Sequence, residues 1–297
     1  MPGATIAVDV ETRTVTTSDG VRLPVEVAGE GPTVLLLHGF PDDRRMWDPV
    51  ADRLVASGHR VVRYDQRGLG DADAPVGRHH YRFDRIVEDA VEVLGVVGDG
   101  APVTVVGHDW GALISWGLSI ARPDLVARHV AVSVGHPRSY RASGLEQKWR
   151  GLYTIAFQAV GLVERILLAR DGLALRRWAR SHPHLDRAVA HLSRPGRLTA
   201  GINWYRANLA LVFLRRWRDC AVPTLGVHGT GDVYLTERQI TGSARFVDAE
   251  WAYVRVVGAR HWVPVERPDE IAGLIARWAA GAAPVGRTAD VAVGAAG

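Results

Sequence analysis

Val105-Val106-Gly107-His108-Asp109-Trp110-Gly111-Ala112 decides how this chain is read. An apolar run from Val103 to Val106 leads into it, and a helical pattern from Ala112 to Ala121 leads out of it. Between the two sits a carboxylate with glycine two positions away on either side. Glycines there let a strand and a helix pass close together around one strained residue, which then points its side chain out at the carboxyl edge of a sheet. That is the small-x-nucleophile-x-small form of a nucleophile elbow, with Asp in the nucleophile's place. Aspartate is also a favoured helix cap, so the turn needs its surroundings before a role is assigned.

Working outward, the chain alternates. Thr5 to Thr17 and Val21 to Ala28 read as a β-hairpin, and Thr33 to His38 as a strand buried on both faces. A helix is expected from Trp47 to Ser57, a strand from Arg60 to Tyr64, a helix from Phe83 to Val97 and a strand from His129 to Val134. Beyond the middle of the chain, strands at Thr224 to His228 and Ala252 to Val257 alternate with helices at Glu237 to Phe246 and Asp269 to Ala280. This rhythm predicts an α/β fold with a mostly parallel sheet flanked by helices. Between Pro137 and Trp217 no strand-like run occurs and arginine-rich helical periodicity takes over. The expected organisation is therefore a core of residues 1–136 and 218–297 with a helical insertion at 137–217, ending in a mobile tail at 281–297.

Of 297 residues, 47% are hydrophobic and 23% charged, the balance of a globular protein with a sizeable core. The single cysteine, Cys220, excludes an internal disulfide and fits a reducing compartment. No stretch reads as a secretory signal or a membrane span, so a cytoplasmic protein is expected. The net charge of +4 is too small to argue for nucleic acid. It is unevenly spread: Arg138 to Asp219 carries about +11 and the remainder about −7, which suits either a solvated helical surface or attraction of an anionic substrate or partner. His79-His80 and the pair His182 and His184 lack carboxylate or cysteine partners nearby in sequence, so they are expected to be solvent-exposed and no metal site is expected. No phosphate loop or dinucleotide fingerprint is present, and no cofactor is expected.

Three other segments follow strands. His38-Gly39-Phe40-Pro41 stands where a second backbone donor would meet that of Trp110, so that the Phe40 and Trp110 amides converge on one developing oxyanion. His228-Gly-Thr-Gly-Asp232 and Gly258-Ala-Arg-His261-Trp262 each close a later strand. Nucleophile, acid and histidine, in the order Asp109, Asp232, His261, thus all fall in loops at strand ends.

Taken together, HGFPDDRRMW (38 to 47), YDQRGLG (64 to 70), GHDWG (107 to 111), NWYR (203 to 206), GTGD (229 to 232) and GARHW (258 to 262) resemble the α/β-hydrolase fold epoxide hydrolases, the relatives of plant and mammalian soluble epoxide hydrolase. The resemblance covers Val15 to Ala280, and GHDWG with NWYR is its most specific part. It implies an α/β-hydrolase core with a helical cap, and conversion of an epoxide to a vicinal diol through a hydroxyalkyl ester on Asp109. His261, oriented by Asp232, would activate the water that hydrolyses the ester. Two cap tyrosines bind the epoxide oxygen in that family. Tyr205, inside NWYR, matches the second, and Tyr153 has a fitting spacing for the first. His38, Phe40, Trp47, Trp110, Trp204 and Trp262 would wall an apolar or aromatic pocket for a small-molecule epoxide. Asp71 departs from the family, which often has Ser there. A homodimer is compatible with the resemblance. A haloalkane dehalogenase would use the same Asp, His and Asp, with Trp110 holding the halide, but Phe40 offers no second side-chain donor. A silent binding protein on the same fold is the other alternative.

Overall fold

The continuous apolar runs become strands covered on both sides, because helices close over each face of one sheet. The computed structural model describes residues 10–211 and 215–283, together with the backbone of 291–294. In spatial order the strands are β1 (Val10–Thr16), β2 (Arg22–Ala28), β4 (Arg60–Tyr64), β3 (Thr33–Leu37), β5 (Val103–His108), β6 (Val126–Val132), β7 (Thr224–Gly229), β8 (Trp251–Val256) and β9 (Val291–Gly294). From β4 through β8 neighbouring strands are parallel, whereas β1–β2, β2–β4 and β8–β9 are antiparallel. α1 (Asp48–Ala56) lies between β3 and β4, α2 (Phe83–Val97) precedes β5 and α3 (Trp110–Ala121) follows it.

Because successive strand residues point to opposite faces, the sheet sorts its apolar side chains into two cores. Val34, Leu36, Val106 and Val227 face one core with Trp47 and α1, while Leu35, Leu37 and Val105 face the other with Ile86 of α2 and Ile114 of α3. Between β6 and β7 the described chain contains only helices: α4 (Pro137–Ala142), α5 (Leu145–Arg150), α6 (Tyr153–Ala156), α7 (Leu162–Trp178), α8 (Leu185–Leu192) and α9 (Arg197–Asn208). α7 breaks at residues 169–172, where Arg170 and Asp171 take φ of 52° and 55°. The last helices are α10 (Glu237–Thr241), α11 (Val263–Glu266) and α12 (Pro268–Ala279).

Several boundaries differ from the sequence reading, and each has a local cause. Strand β5 runs two residues past Val106, because Gly107 and His108 still pair with Ala131 and Val132. With α3 opening at Trp110, Asp109 alone separates strand from helix. The helix expected from Glu237 to Phe246 tightens into a 3₁₀ turn after Thr241. The tail is not wholly irregular: Val291–Gly294 adds β9 to the open edge of β8, where unpaired backbone groups invite a strand. Residues 5–9 of the expected hairpin, and 284–290 and 295–297 of the tail, lie outside the described residues. No helix among the described residues is long and apolar enough to cross a membrane.

Candidate active site

Asp109 has φ 54° and ψ −122°, a conformation that a side chain disfavours and that only close packing sustains. The packing comes from the glycines. A Cβ on Gly111 would overlap the carbonyl of Leu37 in β3, and one on Gly107 would overlap the carbonyl of Gly111. Strand, turn and helix are thereby locked, and the Asp109 carboxylate is thrust beyond the carboxyl end of β5. There its Oδ1 accepts the Phe40 amide at 3.1 Å. Trp110 supplies the first amide of α3 beside it.

The histidine approaches from the other side. His261 Nε2 lies 3.7 Å from Asp109 Oδ2, and its Nδ1 is 2.7 Å from Asp232 Oδ2. Asp232, at the end of β7, also accepts the amides of Tyr234 (2.8 Å) and Leu235 (3.0 Å) on Oδ1, so its second oxygen is left aimed at the ring. The loop carbonyl of His261 is held by His108 Nε2 at 2.9 Å and Ser133 Oγ at 3.3 Å. Burial alone would strip the proton from His261. The charge of Asp232 and the bonds and charge of both carboxylates outweigh it, and the imidazole is pushed up to about 10. For Asp232, burial works upward, but the charge and hydrogen bond of His261 hold the carboxyl below its ordinary range.

The helical half of the site is placed by side chains. In α9, Trp204 donates its indole N–H to the Arg67 carbonyl at 3.1 Å, and Arg206 donates to the Phe157 carbonyl and pairs with Glu164 at 2.6 Å. With those two tied to core and helix, Tyr205 between them faces Asp109. Its ring stands edge-on to Trp110 (5.2 Å), Phe40 (5.7 Å) and Phe157 (5.1 Å). Tyr153, at the start of α6, lies 6.0 Å from Tyr205, ring to ring. Burial first, and the nearby Asp109 charge with it, raise both phenols well above their ordinary value, so both remain protonated donors.

Two spaces meet at Asp109. A small void of ≈ 10 Å³ is enclosed by Asp109, His261, Phe40, Tyr153, Tyr205 and Trp262 among others, about the room one water centre needs. Asp109 also borders a cavity of ≈ 1100 Å³ that runs past Trp110, Leu113, Tyr140, Tyr153 and Ile155 to the surface.

Not every residue singled out from the sequence reaches these spaces. Trp47 lies in the core on the opposite sheet face and lines neither. His38 is wholly buried: Nδ1 bonds the Gly39 carbonyl (2.9 Å) and Nε2 accepts the Gln66 amide (3.0 Å), so it bolts two loops together. Trp204 is buried behind Trp110 rather than exposed to the cavity. Trp262 borders the small void, with its indole on Asp42 Oδ2 at 2.8 Å. The same Asp42 binds His182 Nε2 at 2.9 Å, so His182 is buried, unlike exposed His184, and the expectation of a solvent-exposed histidine is corrected there. Asp71 forms an ion pair with Arg194 at 3.0 Å, for which serine has no charge. Tyr234 and Trp178 had no signal in the sequence. The Tyr234 ring lies 5.0 Å from His261, and its hydroxyl donates to the Trp178 carbonyl at 2.7 Å. Among the described residues no cluster of three or more His, Cys, Asp or Glu could hold a metal ion.

Known proteins share this architecture. The family model described as alpha/beta hydrolase fold matches residues 32–268. Epoxide hydrolase A of Mycobacterium tuberculosis is 30% identical, over 89% of this chain and 96% of its own length. Epoxide hydrolase 3 of Xenopus tropicalis is 28% identical, over 86% of this chain and 74% of its own. The crystal structure of Epoxide Hydrolase A from Mycobacterium thermoresistibile superimposes with a TM-score of 0.78 at 27% identity, covering 93% of this chain and 100% of that one.

Proposed function

Because the chain belongs to the α/β-hydrolase fold family, among its epoxide hydrolases, we propose that it converts an epoxide to a vicinal diol through an ester on Asp109. Membership makes it a hydrolase acting on ether bonds, and the finer chemistry is our reading of the site. The observation that carries it is the position of one carboxylate. Asp109 sits between the Phe40 amide at 3.1 Å and His261 Nε2 at 3.7 Å, and it borders both the void and the cavity shared with Tyr153 and Tyr205. Residues 137–217 act in this reading as a helical cap on a core of 1–136 and 218–297.

A carboxylate needs no base to attack. With Oδ1 bonded to Phe40, Oδ2 is the attacking oxygen. It forms a bond to one epoxide carbon as the C–O bond to the ring oxygen breaks. The developing alkoxide takes a proton from Tyr205 or Tyr153, whose hydrogen bonds strengthen as charge accumulates. The product is a hydroxyalkyl ester on Asp109.

The raised affinity of His261 for its proton bears on timing. In the resting site the ring is an imidazolium between two carboxylates. Esterification removes the Asp109 charge, so one of the causes holding the proton disappears and the ring becomes a base when a base is needed. The proton it releases balances the one the phenol has given. Neutral His261 then takes a proton from water in the small void as the water oxygen attacks the ester carbonyl carbon. The Phe40 and Trp110 amides receive the oxyanion; collapse breaks the ester C–O bond, the leaving alkoxide takes the remaining water proton to become the diol, and the water oxygen stays on the Asp109 carboxylate. Halide release draws less support, since Phe40 has no side-chain donor to hold a halide beside the Trp110 indole.

His261→Ala incubated with styrene oxide should accumulate an adduct of enzyme plus one substrate, located on the Asp109 peptide by mass spectrometry. Wild-type protein in heavy-oxygen water should place the label in Asp109 on the first turnover and in diol only later. Labelled diol in the first turnover, with Asp109 unlabelled, overturns the covalent route.

A further inference from the structure

The two spaces that border Asp109 share Tyr153 and Tyr205 as walls, yet one measures ≈ 10 Å³ and the other ≈ 1100 Å³. Among the rings that line the small void and not the cavity are Trp178, the last residue of α7, and Tyr234, two residues past Asp232. Trp178 is wedged among four other rings, with centroids 5.4 Å from Tyr153, 5.7 Å from Tyr234 and 5.8 Å from both Phe40 and Phe157. Tyr234 is held at three atoms. Its hydroxyl donates to the Trp178 carbonyl at 2.7 Å, its amide donates to Asp232 Oδ1 at 2.8 Å, and its carbonyl accepts from Gln147 Nε2 at 3.0 Å. Neither ring can turn aside without giving up these contacts. The void is therefore kept small by packing between the inserted helices and a sheet loop, and an interior packed in this way resists even one added methylene.

An epoxide carries its substituents in a fixed arrangement about a rigid three-membered ring. A single substituent, or two in cis, leave the ring on one side, whereas two in trans leave it on opposite sides. We infer that the site is one-armed: it takes terminal and cis epoxides, whose substituents all enter the large cavity, and Trp178 and Tyr234 exclude trans-1,2-disubstituted epoxides. This rests on the epoxide-opening reading above and names the substrate class for it. A trans epoxide with one group in the cavity needs a second space at Asp109 for the other, and the small void is the space bordering that carboxylate which remains. An ethyl group exceeds a void with room for about one water. It would also stand where the water that attacks the ester has to be, so trans substitution works against ring opening and ester hydrolysis alike.

Three isomers of equal composition separate shape from apolar content: 1,2-epoxyhexane, cis-3,4-epoxyhexane and trans-3,4-epoxyhexane. Wild type should favour the first two over the trans isomer in kcat/KM by about thirtyfold or more, the consequence of forcing an extra group into a packed interior. Trp178→Leu and Tyr234→Leu each replace a ring with a smaller side chain, and each should lower the preference for cis over trans by about fivefold or more. Because the preference is a ratio within one protein, partial loss of folded enzyme or a loosened Asp232 loop affects both isomers alike and does not mimic the result. A wild-type preference near one, or a preference unchanged in both variants, overturns the inference while diol formation keeps the proposed activity standing. If no isomer gives diol, the activity fails instead. The isomers are then unreacted ligands, and calorimetric titration decides the shape of the site separately: equal binding of cis and trans by wild type sinks the inference, and weak trans binding that strengthens in Trp178→Leu upholds it.

Discussion

Asp109, Asp232 and His261 stand at the ends of β5, β7 and β8, where parallel pairing fixes the backbone before any side chain is placed. Tyr153 and Tyr205 stand on helices that reach the sheet only through side chains. The difference is visible in what holds each group. Asp109 is set by two glycines and a strained φ of 54°, all within three residues of it. Tyr205 is set by Trp204 reaching the Arg67 carbonyl 137 residues away and by Arg206 reaching the Phe157 carbonyl 49 residues away. Similar long-range ties hold the rest of that half: His182 to Asp42, and Arg150 and Gln147 to the loop that carries Asp232. One half is rigid by construction, and the other is a set of separable contacts that can be removed one at a time.

The sharpest way to break the comparison is to attack the rigid half at its backbone. Gly111→Ala drives a methyl into the Leu37 carbonyl, and neither strand nor helix can yield. A cost of at least about 4 kcal/mol is expected, at the upper end of single substitutions. At that cost the melting temperature should fall by about 8 °C or more. Gly273 in α12 has open space where a Cβ would go, and Gly273→Ala should instead stabilise by up to about 1 kcal/mol through helix propensity. Thermal unfolding of the two variants beside wild type measures both. Equal effects would mean that the elbow is far softer than its geometry implies.

The same difference explains what could be read from sequence. A strand end, a glycine spacing and a chain order are local patterns, so Asp109, Asp232 and His261 could be named together and the structure brings them together. The sheet was legible for the same reason, because runs such as Thr33 to Leu37 carry their own two-faced burial. Side-chain direction was not. Trp47 follows the His38 segment closely, yet it packs into the core on the opposite sheet face, and His38 turns inward to bond Gln66. Contacts between distant segments left no trace either: His182 looked solvated because its partner, Asp42, lies 140 residues earlier. Tyr153 and Tyr205 were reached through the family resemblance, since an aromatic on an amphipathic helix is ordinarily packing.

An intermediate effect is expected where the two halves touch. Arg150 of α5 donates to the carbonyls of Asp232 (2.6 Å) and Leu235 (3.0 Å), and Gln147 donates to that of Tyr234 (3.0 Å). Arg150→Ala strands two carbonyls, a loss of about 1–3 kcal/mol, and loosens the carboxylate that orients His261. Opening of the epoxide depends on Asp109 and the phenols, so stopped-flow alkylation should keep its rate while ester hydrolysis slows about tenfold, as a loss of about 1.4 kcal/mol at that step would give. The pH profile of hydrolysis should shift with it, and Arg150→Lys, which keeps a donor, should recover part of the rate. If both steps slow equally, Arg150 supports the fold as a whole and not the Asp232 loop.

The smallest effect belongs to a contact that looks like the others on paper. Arg194, between α8 and α9, meets Asp71 of the core at 3.0 Å, and this pair spans the two halves much as His182 and Asp42 do. The surroundings differ. Arg194 and Asp71 are 47% and 51% exposed, whereas His182 and Asp42 are 1% and 2%. Water solvates the exposed pair nearly as well apart as together, and holding two long side chains in one geometry costs entropy. Arg194→Ala should therefore change the free energy of unfolding by less than about 1 kcal/mol, and high salt should erase even that. Denaturant melts at low and high ionic strength read the difference directly. A loss much above that bound, insensitive to salt, would show that Asp71 carries structural weight in joining helices to sheet, and the division between a rigid half and a separable one would have to be redrawn to include it.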